Sequence, residues 1–232
     1  MCKVKEIDCW QAKFESCAYS DALLNKLFLI NDKTLDKIDL LEIKKAIYYA
    51  KKYHGTQKRH SGEPYYTHPI EVAYMVADYC FEVNAIVAAI LHDVVEDTIA
   101  SLEDIANIFG YRVAQIVERL TRFQLPNYRV SSGELIMCAY MLNDNVAVLI
   151  KLLDRLHNLQ TIHVKTQEKQ QKTYVEVIET FFLLSFTTDH KIADQFEDYL
   201  NRNATAKKLR QEDQIFSYGV YQLQFLDFQN NF

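Results

Sequence analysis

Residues 84 to 91 read NAIVAAIL, and no polar side chain interrupts the run from Ala85 to Leu91. The stretch predicts a helix over 84–97 that is apolar on nearly all sides at its start. Such a helix must be covered all round by others, so it belongs at the centre of its domain. Leu40, Ile43, Ile47 and Ala50 fall at helical spacing ahead of it. Only 5 glycines and 3 prolines occur in 232 residues. That is too little punctuation for the many tight turns of a sandwich or barrel, and the fold class expected is all-α.

The helix carrying Leu40 should close near Gly55, and GTQKRHSGEPYY, residues 55 to 66, reads as a polar loop. Pro suits a first helical turn, so a helix should start near His68-Pro69 and run through Val72, Met75, Val76 and Tyr79. Ser101-Leu-Glu-Asp104 resembles a capping box, and Gly110 closes the short helix after it. Val113, Ile116, Val117 and Leu120 mark another helix. Residues 122 to 134 read as loop, 135 to 165 as helix in two pieces, and 168 to 186 and 189 to 201 as further helices. The expected organisation is an N-terminal extension (1–36) with weak helical signals, a main domain (37–202) and a tail (203–232) rich in Gln, Asn and aromatics.

A net charge of -5 argues against a broad nucleic-acid footprint, although a local Lys/Arg cluster could still hold an anionic ligand. Five cysteines, with no CxxC pair, read as reduced thiols. No apolar run approaches the roughly 20 residues of a membrane span, and MCKVKEIDCW has no apolar signal core. A cytoplasmic location with no membrane partner is expected.

The central helix ends in an abrupt change: AAILHDVVEDT, residues 88 to 98, sets His92, Asp93, Glu96 and Asp97 close together. Glu96 lies four residues after His92 and Asp97 four after Asp93, so each pair shares a face. Carboxylates near a helix C-terminus oppose the macrodipole by roughly 0.3–1 kcal/mol each, which calls for a compensating cation. Imidazole and carboxylate together suit a divalent metal such as Mn, Fe, Zn or Mg. IKLLDRLHNLQT, residues 150 to 161, offers more. Asp154, Asn158 and Thr161 form one helical stripe. Asp154 stands among leucines, and a buried carboxylate must be paired or metal-bound. Pairing with Arg155 is disfavoured because sequence neighbours on a helix do not face each other. His54 continues an apolar stripe and reads as a core histidine. His68, opening a helix, and His157, three residues after Asp154, remain level as further ligands.

RHSGEPYYTHP, LHDVVEDT and KLLDRLHNLQT, in that order, resemble the HD-type hydrolase domain of the RelA/SpoT family, which controls the alarmone (p)ppGpp. FGYRVAQIVERLT, residues 109 to 121, adds to the likeness, which covers roughly residues 38 to 200. The resemblance implies an all-helical HD-domain bundle and a Mn²⁺ ion held by His68, His92, Asp93 and Asp154. It implies that Glu96 and Asp97 act on the attacking water, and that Arg59, Ser61, Asn158 and Thr161 surround a guanine nucleotide polyphosphate. Lys151, with Lys58, Arg59 and Arg155, is an available cation for that polyanion. The activity implied is hydrolysis of the 3′-pyrophosphate ester, giving GDP or GTP and pyrophosphate.

Three positions depart from the family pattern. His60 stands where Lys is common, Gln160 where Arg is common, and the segment before Asp154 lacks a basic pair. Each removes positive charge, so weaker or shifted substrate binding is expected with the metal chemistry intact. No segment corresponds to the family's synthetase domain, so no alarmone synthesis is expected. Two rivals are a related HD phosphohydrolase acting on another nucleotide such as NADPH, and a non-catalytic alarmone-binding module.

Overall fold

The structure is a computed structural model that describes residues 9–59, 61–122, 124–125 and 128–184. Eleven α-helices run along these residues: α1 (Trp10–Lys13), α2 (Ala18–Lys33), α3 (Leu40–His54), α4 (Thr67–Val76), α5 (Val83–Leu91), α6 (Val94–Asp97), α7 (Leu102–Phe109), α8 (Tyr111–Leu120), α9 (Ser132–Met141), α10 (Asn145–Gln160) and α11 (Gln167–Leu184). A 3₁₀ turn covers Ile162–Val164, and two-residue strands β1 (Gln124–Leu125) and β2 (Tyr128–Arg129) pair antiparallel. The expected all-α class is borne out. The chain divides into two units, residues 1–158 and 159–232. The first holds α1 to α9 and most of α10. The second contains the 3₁₀ turn and α11, which pack together.

Within the first unit, α5 is the central helix. Ala85, Ile86, Ala88, Ala89, Ile90 and Leu91 are all fully buried, and α3, α4 and α8 pack around them. Covering seven consecutive apolar residues on every side is what fixes the position of the chain at Leu91, immediately before the polar cluster. α3 contributes Ile43, Ile47 and Ala50, also fully buried, and Gly55 closes it as expected.

Several boundaries sharpen. Ser101 and Asp104 form the expected reciprocal box at the start of α7. Gly110, at φ +90°, ends α7 and begins α8 in one residue, a conformation that strains any side chain. α4 stops at Val76 rather than reaching Tyr79, with Tyr79 in a following turn. α9 begins earlier than expected, capped by Ser131, whose hydroxyl accepts from Glu134 N–H while Glu134 accepts from Ser131 N–H. The weakly patterned extension holds a 16-residue helix. In it, α2 buries Leu23 and Leu27 and packs on α3 and α4. The helix expected over 189–201 and the tail over 203–232 lie outside the described residues.

The largest correction falls on the expected helix over 84–97. It is two helices, broken at His92 and Asp93. His92 caps the end of α5 and Asp93 opens α6. Glu96 and Asp97 therefore lie in the first turn of a new helix, where carboxylates are favoured. The dipole argument for a cation thus loses its premise, and the argument for one passes to the geometry of the side chains.

Candidate metal centre

Three stretches of chain remote in sequence meet in the first unit. His68 comes from the first turn of α4, His92 and Asp93 from the break between α5 and α6, and Asp154 from α10. Adjacent residues on a continuous helix diverge by about 100°, and the break lets His92 and Asp93 turn to one point. One ligand atom each from His68, His92 and Asp154 lies within 4.8 Å of the others, and all three residues are buried. His68 Nε2 is 3.1 Å from Asp154 Oδ1 and 3.7 Å from Asp93 Oδ2. His92 Nε2 is 3.1 Å from Asp93 Oδ1 and 4.0 Å from Asp154 Oδ1. Asp93, the fourth residue expected as a ligand, approaches His68 through Oδ2 and His92 through Oδ1 and stands beside this three-residue group.

The tautomers suit a cation there. His92 Nδ1–H donates to Ala89 O at 2.7 Å, which leaves the lone pair on Nε2. That Nε2 is buried and has no hydrogen-bond partner among the described residues. Its approach to Asp93 lacks hydrogen-bond alignment, as expected for two donors aimed at a third atom. A buried polar atom left unsatisfied costs about 1–3 kcal/mol, so the site is incomplete as protein alone.

Charge points the same way. Burial alone would lower the His92 pKa, but the carboxylates of Asp93 and Asp154 outweigh it and raise it to about 9. Burial lowers His68 to about 4, against the pull of Asp154 and Asp93. Burial also opposes ionisation of both carboxylates. It is overcome for Asp93 chiefly by His92, and for Asp154 by Arg155 and Lys151, so both stay below the usual carboxylate range. The raised His92 value reports a demand for positive charge between two buried carboxylates. A divalent ion on nitrogen and oxygen ligands meets that demand.

Asp154 is held from several sides. Arg155 Nη2 donates to Oδ2 at 2.8 Å, and Lys151 Nζ lies 3.3 Å from the same oxygen. The pairing with Arg155, disfavoured because helix neighbours do not face each other, is nevertheless present. Lys151, expected as a cation for the polyanion, is 3 % exposed and pairs with Asp154. Asn158 Nδ2 donates to Oδ1 at 2.7 Å, fixing that oxygen's direction.

Glu96 and Asp97 are exposed, one turn past the break. Arg122 N–H donates to Glu96 Oε2 at 3.1 Å. Although Asp97 is exposed as a residue, its carboxyl is partly desolvated beside Tyr65, and that desolvation and the charge of Asp93 raise its pKa. Arg59 and Ser61 stand on a turn closed by Gly62 N–H donating to Arg59 O at 2.9 Å, with Gly62 at φ +89°. Ser61 Oγ donates to Glu63 Oε2 at 3.0 Å, and Tyr19 Oη donates to Glu63 Oε1 at 2.5 Å, tying α2 to this loop. Thr161 belongs to the second unit, and His60 lies outside the described residues.

Two side chains at the centre, Tyr65 and Glu71, were not singled out, and His157, weighed as a ligand, stands behind one instead. Tyr65 Oη donates to Asp93 Oδ2 at 3.4 Å, and it also bonds to Asp97. The Asp93 charge and burial keep its hydroxyl protonated far above the ordinary range. His157 lies behind His68, their Nδ1 atoms 2.8 Å apart, and Glu71 follows at 3.0 Å from His157 Nε2. Glu71 and Tyr65 carried a signal only in their spacing from His68. His54 is buried, as the core reading has it, with Nδ1 2.8 Å from Gln57 Oε1 and its ring against Tyr65, but its Nε2 has no hydrogen-bond partner among the described residues.

A mostly helical domain with a buried His-His-Asp centre defines the class, and the HD-domain family profile matches residues 46–185. The chain belongs to the HD-domain family, in the form found in RelA/SpoT proteins. It is 37 % identical over 163 residues to a protein of Aquifex aeolicus named guanosine-3′,5′-bis(diphosphate) 3′-pyrophosphohydrolase, covering 68 % of this chain and 23 % of that one. It is 35 % identical over 154 residues to a GTP pyrophosphokinase of Streptomyces coelicolor, covering 65 % of this chain and 18 % of the relative. The chain thus spans about a quarter or less of these curated relatives. A solved structure described as a metazoan ortholog of SpoT that hydrolyses ppGpp superposes with a TM-score of 0.62 at 27 % identity, covering 73 % of this chain and 99 % of that one. Among the described residues, no helix is long and apolar enough to cross a membrane.

Proposed function

We propose that this chain hydrolyses (p)ppGpp at the 3′-pyrophosphate ester, releasing GDP or GTP and pyrophosphate. The observation that carries the reading is the convergence of His68, His92 and Asp154 from three separate motifs, with His92 Nε2 buried and unpartnered. The likeness to a ppGpp-hydrolysing SpoT ortholog along nearly its whole length supports it.

His68, His92, Asp93 and Asp154 are the residues that would hold Mn²⁺. When bound, such an ion supplies Lewis acidity that makes water a nucleophile near neutral pH. The chain's own groups do the rest. Asp97, whose raised pKa favours proton uptake, and Glu96 orient the attacking water and take its proton. Arg59 and Ser61, on their turn, meet the phosphates, while Asn158 contributes to nucleotide binding. Lys151 serves the polyanion through its hold on Asp154, because its amine is buried against that carboxylate.

The test is Mn²⁺-dependent turnover of ppGpp, run beside NADPH, with Asp93→Ala and Glu96→Ala controls. ppGpp should be consumed with release of pyrophosphate. D93A should lose the metal, and E96A should keep it and lose rate. Binding of ppGpp without turnover in excess Mn²⁺, or preferential turnover of NADPH, refutes the proposal.

A further inference from the structure

His68 is gripped at both ring nitrogens by one helix. α10 presents Asp154 Oδ1 to Nε2 at 3.1 Å and His157 Nδ1 to Nδ1 at 2.8 Å. Asp154 and His157 are three residues apart and share a face of that helix. Beyond His157, its Nε2 lies 3.0 Å from Glu71 Oε2, and Glu71 returns to α4, three residues after His68. A closed circuit therefore runs from α4 to α10 and back. His68 and His157 are both buried, at 4 % exposure.

We propose that Glu71 and His157 form a positioning relay that locks the ring and tautomer of His68 and strengthens it as a metal ligand. The proposal rests on the metal-centre reading above. If the Nε2 lone pair of His68 faces the centre, its proton must sit on Nδ1, and the 3.1 Å approach of Asp154 Oδ1 to Nε2 is then one between two ligand atoms rather than a hydrogen bond. Among the described residues the atom facing that proton is His157 Nδ1, so His157 accepts there, carries its own proton on Nε2 and donates it to Glu71 Oε2. The three groups then admit a single arrangement of protons. Metal-bound histidines commonly donate their other N–H to a carboxylate, which fixes the ring and raises its basicity. Here an imidazole is inserted between histidine and carboxylate, so the charge of Glu71 acts across two rings. Arg59 Nη1 lies 4.0 Å from the same Glu71 oxygen, which sets the far end of the relay beside the loop that carries Ser61. The bland alternative is that His157 is a core histidine satisfied by whatever lies nearest. It gives no reason for Glu71, a 36 % exposed carboxylate, to turn back toward a buried ring.

The experiment is metal binding by the full chain, stripped with chelator and titrated with Mn²⁺, with the Co²⁺ visible spectrum as the second readout. Wild type should bind, and His68→Ala should abolish binding. Glu71→Ala should weaken Mn²⁺ by about 10- to 100-fold and shift the Co²⁺ bands. Glu71→Gln, which keeps an acceptor oxygen, should recover part of the loss. His157→Ala should match or exceed E71A. Glu71 is half-exposed, so E71Q keeps the fold, and its affinity relative to wild type decides the matter if a harsher variant melts. A wild type that binds, with E71A, E71Q and H157A equal to it in affinity and spectrum, overturns the relay and leaves the metal centre standing. A wild type that takes up no ion overturns both.

Discussion

Asp144→Ala should destabilise the first unit by about 2–3 kcal/mol. Asp144 precedes α10, the helix that delivers Asp154. Its carboxylate is fully buried and receives Arg112 through two bonds of 2.7 and 2.8 Å and Arg119 through a third. Its Oδ1 also accepts Ala147 N–H at 3.2 Å, capping the first turn of α10. Removing one partner of a fully buried pair costs about 3–5 kcal/mol, whereas an exposed pair is worth about 0–1. The Arg112 and Arg119 side chains are 42 % and 24 % exposed, so both can rehydrate once the carboxylate is gone. That places the charge loss between the limits, and the lost cap adds roughly 1 kcal/mol. Asp144→Asn keeps a capping oxygen and should lose less. The assay is urea unfolding followed by circular dichroism, with an Arg112→Ala cycle to isolate the pair. For a unit of this size the thermal midpoint should fall by about 4–12 °C. A D144A midpoint indistinguishable from wild type, or a cycle with no coupling between positions 112 and 144, refutes the reasoning.

Asp97→Asn should lower kcat by about 10²–10⁴-fold with Mn²⁺ affinity unchanged; equal losses in both would make it a ligand instead. Tyr65→Phe should cut the rate roughly 10-fold by releasing Asp97 and Asp93, about 1.4 kcal/mol in the barrier. A D97N background should blunt that effect, and full additivity of the two changes counts against it. The Tyr19 hydroxyl, and then Ser61, hold the Glu63 pKa below its ordinary 4.5. A depressed carboxylate stabilises above the unfolded value and loses that contribution as pH falls through the folded one. Glu63→Gln should therefore differ from wild type in chemical stability at pH 7 and converge with it below 4.5; a gap that persists at low pH contradicts the pairing.

The periodicity of residues 40–50 and the unbroken apolar run at 85–91 settled the helical class and the centre of the domain. Each is a local pattern whose burial has one solution. The caps at Ser101, Gly55 and Gly110 were legible for the same reason, because a helix end is satisfied by residues within a few positions of it. The extension was not, because α2 gains its stability from α3 and α4, contacts that its weak pattern does not announce. The ligand types could be read from spacing and the roles from resemblance, which chose His68 where spacing left it level with His157. Tertiary structure set His92 and Asp93 at a break rather than within a helix, turned His68 inward between Asp154 and His157, and buried Lys151, expected as a cation for the polyanion, against Asp154. Those outcomes depend on how α4, α5 and α10 meet, and no stretch of local sequence encodes a meeting of three helices.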